Sequence, residues 1–333
     1  MPLGLSLGIG SSLSAGGGYA SLVTNGVLAP YVTFTRASSG TYYDSAGVLQ
    51  TALTNVPRID YDPSTLALRG LLIEEARTNR VLNSATLVTQ SVTVAAVAHT
   101  LSFTGTGTVT LSGVSTAGPL VGTGATNRVT LTFTPTAGSL TLTVTGTCTL
   151  GQLEAGAFAT SPIPTTSAAV TRAADVAGNS TLSSIGFNSA EWTLYVQFSA
   201  PPNTSASDFP GVCALIETAG GANNTSTIYC TPSGGNRIRA NTRAAAVSTE
   251  ITGLTGYAIG ATYSVAIAVA AGAQSIVVNG GSATTSTSAL PTSLAKLVLG
   301  RRLESGFWLN SSIKNARLYP RSLTNAELQA LTA

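Results

Sequence analysis

The sequence predicts an all-β protein of tandem antiparallel β-sandwiches, because apolar and hydroxyl residues alternate, turn residues recur and only one helix signal is present. The segments TVTLS at residues 108–112, VTLTFT at 129–134 and LTLTVT at 140–145 alternate strictly. Successive side chains of a strand point to opposite faces, so each segment has one apolar face and one hydroxyl face. Such strands cover a core on one side and face water on the other. The intervening residues 135–138, PTAG, supply a turn.

The composition excludes two classes of partner. The chain has 333 residues, with 16 Lys and Arg, 13 Asp and Glu and a net charge of +3. It contains 50 Thr and 37 Ser, and charged residues make up 9%, against roughly 25% in an average soluble protein. Without a cluster of Lys and Arg to neutralise phosphates, nucleic-acid binding is not expected. Gly272 and Gln274 interrupt the apolar residues 257–278 before they reach the ~20 residues of a membrane span, so no membrane insertion is expected.

Composition divides the chain into three predicted regions. Residues 1–80 begin without charge and rich in glycine, residues 81–165 are rich in Thr, and residues 170–333 contain both tryptophans. Between the last two regions, residues 161–167 contain two prolines separated by one residue, which disfavours a helix or a central strand and predicts a linker. The uncharged N-terminal residues, 1–35, are expected to order against a partner protein or a second subunit.

One short helix is predicted at the C-terminal end. Thr324 can act as the N-cap with Glu327 three residues later, which forms a capping box, and Leu323 and Leu328 occupy the positions of a hydrophobic staple. Leu328 and Leu331 would share one face of this helix. A helix this short is not stable alone in water, so we expect it to pack on a sandwich.

The cysteines and the single histidine predict neither a zinc site nor a Ser-His-Asp triad. Cys148, Cys213 and Cys230 have no C-x-x-C spacing, and His99 is the only histidine of the chain. A disulfide between Cys213 and Cys230 is one interpretation. Small buried thiols are the favoured one, because free cysteine is among the most buried residue types.

The adjacent acids Glu74 and Glu75 are the densest acidic spot, and glycoside hydrolysis uses carboxylate pairs. Neighbours on a strand point to opposite faces, so these two could not flank one glycosidic bond. The favoured interpretation is that they pair with Arg58, with Arg77 or with an arginine of a neighbouring subunit. We therefore assign these four residues to structural or intersubunit ion pairs.

Asp60 and Asp62 form a second carboxylate pair. Two apart on a strand, they would share a face about 6–7 Å from each other, which is within reach of hydrolase geometry. The sequence around Asp62 is nevertheless typical of a turn, in which an aspartate caps backbone amides. No catalytic residue is therefore predicted, and the chain is interpreted as non-enzymatic.

The first part of the chain resembles a known group of proteins. The resemblance is carried by FTRAS at residues 34–38, DSAGVL at 44–49, NVPRIDYDP at 55–63 and GLLIEEARTN at 70–79. These segments resemble the opening of tailed-phage virion proteins that are described as head-spike fibres, related to those of gene-transfer agents, or as tail fibres. The match spans roughly residues 30–83, and its last ten residues are highly specific.

Two further parts of the chain resemble sandwich domains. GQLE at residues 151–154, continuing to PTT at 164–166, is similar to the closing strand and exit of carbohydrate-binding-module-like jelly rolls in the same phage proteins. LVLG at 297–300, IKNARLY at 313–319 and LTNAEL at 323–328 are similar to the last strands and helix of concanavalin A-like, or laminin G-like, lectin sandwiches. The resemblance implies that the second region is a jelly roll and that the third is a concanavalin A-like sandwich.

A lectin-like sandwich implies a carbohydrate site, for which an exposed aromatic side chain beside polar groups is the expected pattern. Trp308 and Asn310, near Arg301 and Arg302, match that pattern best, and we predict these four as glycan-binding residues. The alternative is that one of the alternating residues Phe307 and Trp308 belongs to the core.

Lectins of this kind often bind calcium, which requires several convergent oxygen ligands. The acidic residues of the third region are isolated from each other in sequence: Asp175, Glu191, Asp208, Glu217, Glu250 and Glu304. A calcium site therefore stays unassigned, and no other cofactor is predicted.

Together the resemblances imply a non-enzymatic structural protein of the phage virion, either a head fibre or decoration protein or a tail fibre. It would be made in the bacterial cytoplasm and lie on the particle surface as a homotrimer, attached to a capsid or tail protein through its N-terminal region. Its lectin-like domain would adsorb to host surface polysaccharide through many weak contacts. The alternatives are a decoration protein that binds no sugar and, less favoured, a glycan depolymerase.

Overall fold

The computed structural model describes residues 18–202, 209–218, 223–232, 234–304 and 306–333. In these residues the chain forms antiparallel β-strands, one short 3-10 helix and one α-helix, which confirms the predicted all-β class.

The elements follow in chain order. Residues 18–80 contain β1 (Ala20–Thr24), β2 (Val27–Leu28), β3 (Thr33–Thr35), β4 (Gly40–Tyr43), β5 (Leu49–Ala52), β6 (Ile59–Tyr61), β7 (Leu68–Ile73) and β8 (Arg77–Asn79). Residues 81–165 contain β9 (Gln90–Val94), β10 (His99–Gly105), β11 (Thr108–Gly113), β12 (Leu120–Val121), β13 (Gly124–Phe133), β14 (Gly138–Thr145) and β15 (Cys148–Ala155). The remainder contains β16 (Val170–Arg172), β17 (Val176–Asn179), the 3-10 helix (Leu182–Ile185), β18 (Glu191–Ser199), β19 (Gly211–Glu217), β20 (Thr225–Thr231), β21 (Arg237–Ala244), β22 (Val247–Thr255), β23 (Thr262–Ala270), β24 (Ala273–Val278), β25 (Thr284–Ser286), β26 (Leu294–Leu299), β27 (Ser311–Tyr319) and α1 (Asn325–Thr332).

A nine-stranded and a seven-stranded sheet form what we call the large sandwich. The nine-stranded sheet has the order β2-β1-β27-β18-β23-β24-β25, with β7 pairing with β27 and β6 pairing with β7. The seven-stranded sheet has the order β22-β21-β20-β19-β26-β17-β3. Alternate apolar side chains of both sheets fill the space between them, and Trp192, Leu215 and Ile267 are at most 1% exposed. Burial of this apolar surface is the main stabilising contribution to the large sandwich.

The small sandwich consists of the sheets β13-β10-β15 and β12-β11-β14-β9. The alternation of apolar residues and threonines places their side chains on opposite faces of the strands, as predicted. Leu111, Leu140 and Leu142 lie in the core, whereas Thr110 and Thr143 face outward and are exposed. The two sandwiches confirm the predicted architecture.

In the sequence, the small sandwich lies between segments that form the large sandwich, because strands before it pair with strands after it. β1 and β7 both pair with β27, and β3 pairs with β17. Leu22 on β1 and Leu71 on β7 are fully buried in the core of the large sandwich. The N-terminal strands therefore complete the two sheets of the C-terminal part of the chain.

This pairing does not follow the compositional boundary at residue 80. Strands of the predicted region 1–80 lie in the same sheets as strands of the predicted region 170–333, because the apolar faces of both are buried in one core. Residues 18–35 of the expected attachment segment include β1, β2 and β3 of these sheets. Residues 1–17 of that segment lie outside the described residues.

The C-terminal helix α1 confirms the predicted capping box. The hydroxyl of Thr324 accepts a hydrogen bond from the Glu327 N–H at 3.3 Å, and the Glu327 carboxylate accepts one from the Thr324 N–H at 2.8 Å. Leu323 and Leu328 are buried, and Leu331 packs beside them on the outer side of the nine-stranded sheet. The helix covers apolar surface that the strands β23 and β24 would otherwise expose to water.

All three cysteines are buried and free, so the thiol interpretation is confirmed and the Cys213–Cys230 disulfide is not formed. Burial raises the pKa of the Cys213 and Cys230 thiols, which keeps them protonated and unreactive.

Five charged side chains meet where the small sandwich joins the large one, and we call them the buried charge cluster. Each is at most 4% exposed: Arg36, Arg58, Glu74, Arg172 and Asp175. They follow β3, precede β6, follow β7, end β16 and precede β17, respectively. Segments far apart in the sequence therefore converge at this point.

The two carboxylates bind all three guanidinium groups. Asp175 Oδ1 lies 3.1 Å from Arg36 Nη1, and its other oxygen contacts Arg58. Glu74 Oε2 lies 2.8 Å from Arg58 Nη1 and 3.4 Å from Arg172 Nη2. The cluster contains three buried positive charges and two negative ones. Loss of either carboxylate would therefore leave more buried positive charge uncompensated, which lowers the stability of the fold.

The connecting residues 161–167 form no helix or strand, as their prolines predict, but they are packed. Ser161 donates from its N–H and from its hydroxyl to Glu74, both at 2.7 Å. The N–H of Ile163 donates to Gln152 Oε1 at 2.7 Å. This segment is therefore held between the buried charge cluster and the small sandwich.

We expect Asp175→Asn to lower the free energy of unfolding by about 3–5 kcal/mol, because it leaves three buried guanidinium groups with one carboxylate. Urea denaturation of the full chain measures this change. Glu304→Gln is the control, since the Glu304–Lys296 pair at 2.5 Å is partly exposed and removing it should cost less than about 1 kcal/mol. Equal losses in the two variants would contradict the role of the cluster.

Glu74 also predicts a pH dependence. Burial alone would raise the pKa of Glu74, but Arg172, Arg58 and Ser161 outweigh it and lower the pKa from 4.5 to about 2. The folded-state pKa is depressed, so the stabilisation is present above about pH 4.5 and is lost as the pH falls towards 2. The difference in unfolding free energy between wild type and Glu74→Gln should therefore shrink across this range in urea titrations at successive pH values. A difference that stays constant from pH 5 to pH 2 would be contrary to this account.

Candidate functional site

The connection between β26 and β27, residues 300–310, lies over the outer face of the seven-stranded sheet, and we call it the β26–β27 loop. Backbone hydrogen bonds fix it at both ends. Gly300 N–H donates to Val212 O and Leu309 N–H donates to Gly300 O, both at 2.8 Å, and Gly211 N–H donates to Phe307 O at 2.9 Å. The described residues of this loop are therefore held in place by β19.

Three of the four predicted glycan-binding residues make contacts that hold the β26–β27 loop against the rest of the protein. Trp308 is half-buried, and its indole N–H donates to the Asp175 carbonyl at 3.1 Å. Asn310 Oδ1 accepts from the Glu75 N–H at 2.9 Å. The guanidinium of Arg301, a buried residue, lies 5.9 Å from the Trp308 ring centre. These contacts connect the β26–β27 loop to the residues between the two sandwiches.

Trp308 and Asn310 also line a cleft of 370 Å³ between the two sandwiches, which we call the aromatic cleft. Arg77 lies at its wall, with Nη2 2.5 Å from Glu75 Oε1 and its guanidinium 4.7 Å from the Phe158 ring centre. The ion pairs Arg58–Glu74 and Arg77–Glu75 thus form within one chain, and an intersubunit role for these residues stays a prediction.

The fourth predicted residue, Arg302, lines a different cleft of 470 Å³ on the outer face of the seven-stranded sheet. We call it the sheet-face cleft. Its described lining comprises Asn223, Thr225, Thr227, Asn241, Arg243, Ser248, Arg302, Leu303 and Phe307. The volume lies in the usual range of ligand sites.

Alternation along β20 and β21 builds the floor of this cleft. Thr225 pairs with Arg243 and Thr227 pairs with Asn241, so these four side chains share the outer face. Their neighbour Ile228, one position on, points into the core. The same period-two rule that forms the core thus places a row of polar groups under the β26–β27 loop.

Asn241 is a buried polar residue of the floor. It is only 3% exposed, and within the described residues its Nδ2 amide has no hydrogen-bond partner. A buried donor without an acceptor costs about 1–3 kcal/mol, and most buried polar groups in proteins are paired. A hydrogen-bond acceptor that reaches this amide from a bound molecule would remove this cost.

A series of side-chain contacts beside the floor holds Arg302 in place. Its guanidinium carbon stacks 4.2 Å from the Tyr229 ring centre, and the Tyr229 hydroxyl donates to Glu250 Oε1 at 2.7 Å. Arg239 Nη2 binds the other oxygen of Glu250 at 2.8 Å. Burial, with the Glu250 charge adding to it, raises the pKa of Tyr229, so its hydroxyl stays a donor. These contacts fix the plane of the Arg302 guanidinium.

Phe307 forms the rim of the cleft, and the residue is 40% exposed. Its backbone φ is +56°, a region that bulky residues rarely adopt because Cβ crowds the backbone. The ring makes an edge contact with Phe209, 6.1 Å between centres. Strained backbone of this kind costs about 1–3 kcal/mol and occurs preferentially at functional sites.

A third cleft of 490 Å³ lies between the sandwiches and includes Asp60 and Asp62 in its lining. Arg69 binds both carboxylates, at 3.4 Å and 2.6 Å. Asp62 Oδ1 also accepts from the N–H groups of Ser64 and Thr65, both at 2.9 Å, which confirms the turn interpretation. We call this the Asp60 cleft.

The described part of the chain contains no group of three or more His, Cys, Asp or Glu side chains placed to hold a metal ion. Within the same residues, no helix combines the length and the apolar character that crossing a membrane requires.

No family model and no curated protein matches the chain. Among solved structures it is similar to the CBM40 domain of the Ruminococcus gnavus IT-sialidase bound to α2,3-sialyllactose, with 16% identity, 45% of this chain and 86% of that chain covered, and a TM-score of 0.38. It is also similar to domain 4 of AbnA, a GH43 arabinanase from Geobacillus stearothermophilus in complex with arabinotriose, with 16% identity, coverage of 48% and 73% and a TM-score of 0.37. A SAP-like pentraxin from Limulus polyphemus shows 12% identity, coverage of 43% and 70% and a TM-score of 0.33. At these identities and TM-scores the similarities carry no argument about what this chain binds.

The strain at Phe307 predicts an unusual order of stability. Phe307→Gly and Phe307→Ala both remove the ring, but only glycine adopts the positive φ without a clash. The Gly variant should therefore be more stable than the Ala variant by about 1 kcal/mol in urea denaturation. Val121 on β12, an exposed strand position, is the control, where the Ala variant should be the more stable one. The same order at both positions would show that the Phe307 backbone is not strained.

Proposed function

We propose that the protein is a non-enzymatic, lectin-like structural protein of a tailed-phage particle, and that it binds host surface glycans in the sheet-face cleft. The observation that carries glycan binding is Asn241, a buried amide without a described partner in the floor of a cleft. The Thr225 and Thr227 hydroxyls lie beside it, and the exposed ring of Phe307 forms the rim.

This set of groups suits a saccharide. A sugar ring presents hydroxyl groups at its edge and C–H groups on its face. Hydroxyl and amide side chains in the floor can exchange hydrogen bonds with the edge, while an aromatic ring can cover the face. Because Phe307 and Arg302 are held by the surrounding protein, little side-chain entropy is lost when the ligand binds.

The virion part of the proposal is supported by the resemblance of residues 30–83 to phage fibre proteins. The N-terminal region would contact a capsid or tail protein, and the large sandwich would face outward on a homotrimer at the particle surface. Each glycan contact in a shallow cleft is weak, so the many copies on one particle would supply the avidity that adsorption needs.

A binding experiment tests this proposal with one substitution. Purified full-length protein is tested against immobilised bacterial lipopolysaccharides and capsular polysaccharides. We expect Asn241→Leu to abolish binding and to keep or raise the unfolding free energy, because replacing an unpaired buried amide by an apolar side chain of similar size removes a cost. Asn127→Leu, in the Asp60 cleft, is the matched control and should bind like wild type.

The other outcomes identify the alternatives. If wild type binds no polysaccharide, the protein is a decoration protein without a glycan ligand. If reducing ends accumulate during the incubation, it is a depolymerase. If Asn127→Leu loses binding while Asn241→Leu retains it, the glycan site is the Asp60 cleft.

A further inference from the structure

We infer that the sheet-face cleft selects saccharides that carry a carboxylate. This inference rests on the proposed function and specifies its ligand class. It follows from the balance of charge and hydrogen-bonding groups around Asn241, which favours donors over acceptors.

The described lining of the cleft contains two guanidinium groups, Arg243 and Arg302, and no aspartate or glutamate. Arg243 Nε donates to the Ala246 carbonyl at 3.2 Å, and Arg243 forms no ion pair with a described carboxylate. Its terminal nitrogens therefore retain donors for a ligand.

Two of the nearby carboxylates bind other cations, and a third, Glu217, accepts hydrogen bonds from the Asn223 N–H at 2.8 Å and from Asn224 Nδ2 at 2.9 Å. Glu250 binds Arg239 at 2.8 Å and accepts from the Tyr229 hydroxyl, whereas Arg302 Nη2 is 3.9 Å away from it. Glu304 binds Lys296 at 2.5 Å. Within the described residues Arg243 therefore has no ion pair, and Arg302 has one long ion pair, to Glu250 at 3.9 Å.

Asn241 adds an amide donor between these groups. A neutral sugar could satisfy this amide, but it would leave the Arg243 guanidinium partly removed from water without a described counter-charge. A carboxylate supplies two acceptor oxygens in one plane, which match the planar donor fork of a guanidinium. The hydroxyl groups of Thr225, Thr227 and Ser248 remain to bind the hydroxyl groups of the sugar.

Matched polysaccharides test the inference. The probes are alginate, polygalacturonate and polysialate, each in its native form and after reduction of the carboxylate to an alcohol. We expect the full-length protein to bind at least one native polymer at least tenfold tighter than its reduced form, and to lose this preference as the salt concentration rises, since charge pairs near a surface are screened.

Substitutions at Arg243 assign the preference to the cleft. Arg243→Gln should weaken binding of the native polymer by about tenfold, which corresponds to about 1.4 kcal/mol, and leave the affinity for the reduced polymer unchanged. Arg243→Lys keeps the positive charge but not the planar pair of guanidinium donors. Its affinity for the native polymer should therefore lie between those of wild type and Arg243→Gln. Lys314→Gln, on β27 of the opposite sheet, removes the same charge and should bind like wild type.

Each remaining result counts against the inference. Equal binding of native and reduced polymers, or binding of neutral glycans alone, overturns the carboxylate preference and leaves glycan binding intact. Binding of dextran sulfate but of no carboxylated polymer overturns it as well, because the preferred anion is then a sulfate. Failure to bind any glycan refutes the proposed function and the inference with it.

Discussion

The ion pairs of the buried charge cluster are the constraint on which the rest of the structure depends. Three guanidinium groups are removed from water there, and Glu74 and Asp175 supply the negative charge that offsets the cost, together with hydrogen bonds to backbone carbonyls. The five side chains come from segments that surround the small sandwich in the sequence, so the pairs form only when the N-terminal strands, residues 161–167 and the large sandwich are all in place. A buried ion pair adds little net stability compared with apolar packing. Its effect here is to favour one arrangement of the two sandwiches over others.

The same cluster positions the candidate site. The carbonyl of Asp175 accepts the indole N–H of Trp308, so the β26–β27 loop is anchored directly to a cluster residue. That anchor sets where Phe307 and Arg302 lie above β20 and β21. If the site had to become ordered on binding, the cost would reduce the binding free energy of a weak ligand. The rigidity of the loop therefore contributes to affinity as much as its residue types do. The strained φ of Phe307 is maintained by this support.

The sequence predicts what is local and misses what depends on distant pairing. Alternation predicts the strands and the capping box predicts α1, because both depend on neighbouring residues. The boundary at residue 80 follows composition and does not reveal that β1 and β7 pair with β27, since alternation identifies a buried face without naming its partner. For the same reason the sequence does not identify Asn241 as a residue of the candidate site. Arg237, Arg239, Asn241 and Arg243 form a polar row at every second position of β21, but only the distant β26–β27 loop turns that row into the floor of a cleft.

In our proposal a glycan occupies the sheet-face cleft. A crystal structure of the full-length protein with a fragment of its tightest-binding polysaccharide tests it most directly. We expect a sugar ring against Phe307 with an acceptor oxygen within hydrogen-bonding distance of Asn241 Nδ2. A sugar bound in the aromatic cleft or in the Asp60 cleft, with the sheet-face cleft occupied by solvent, would contradict it.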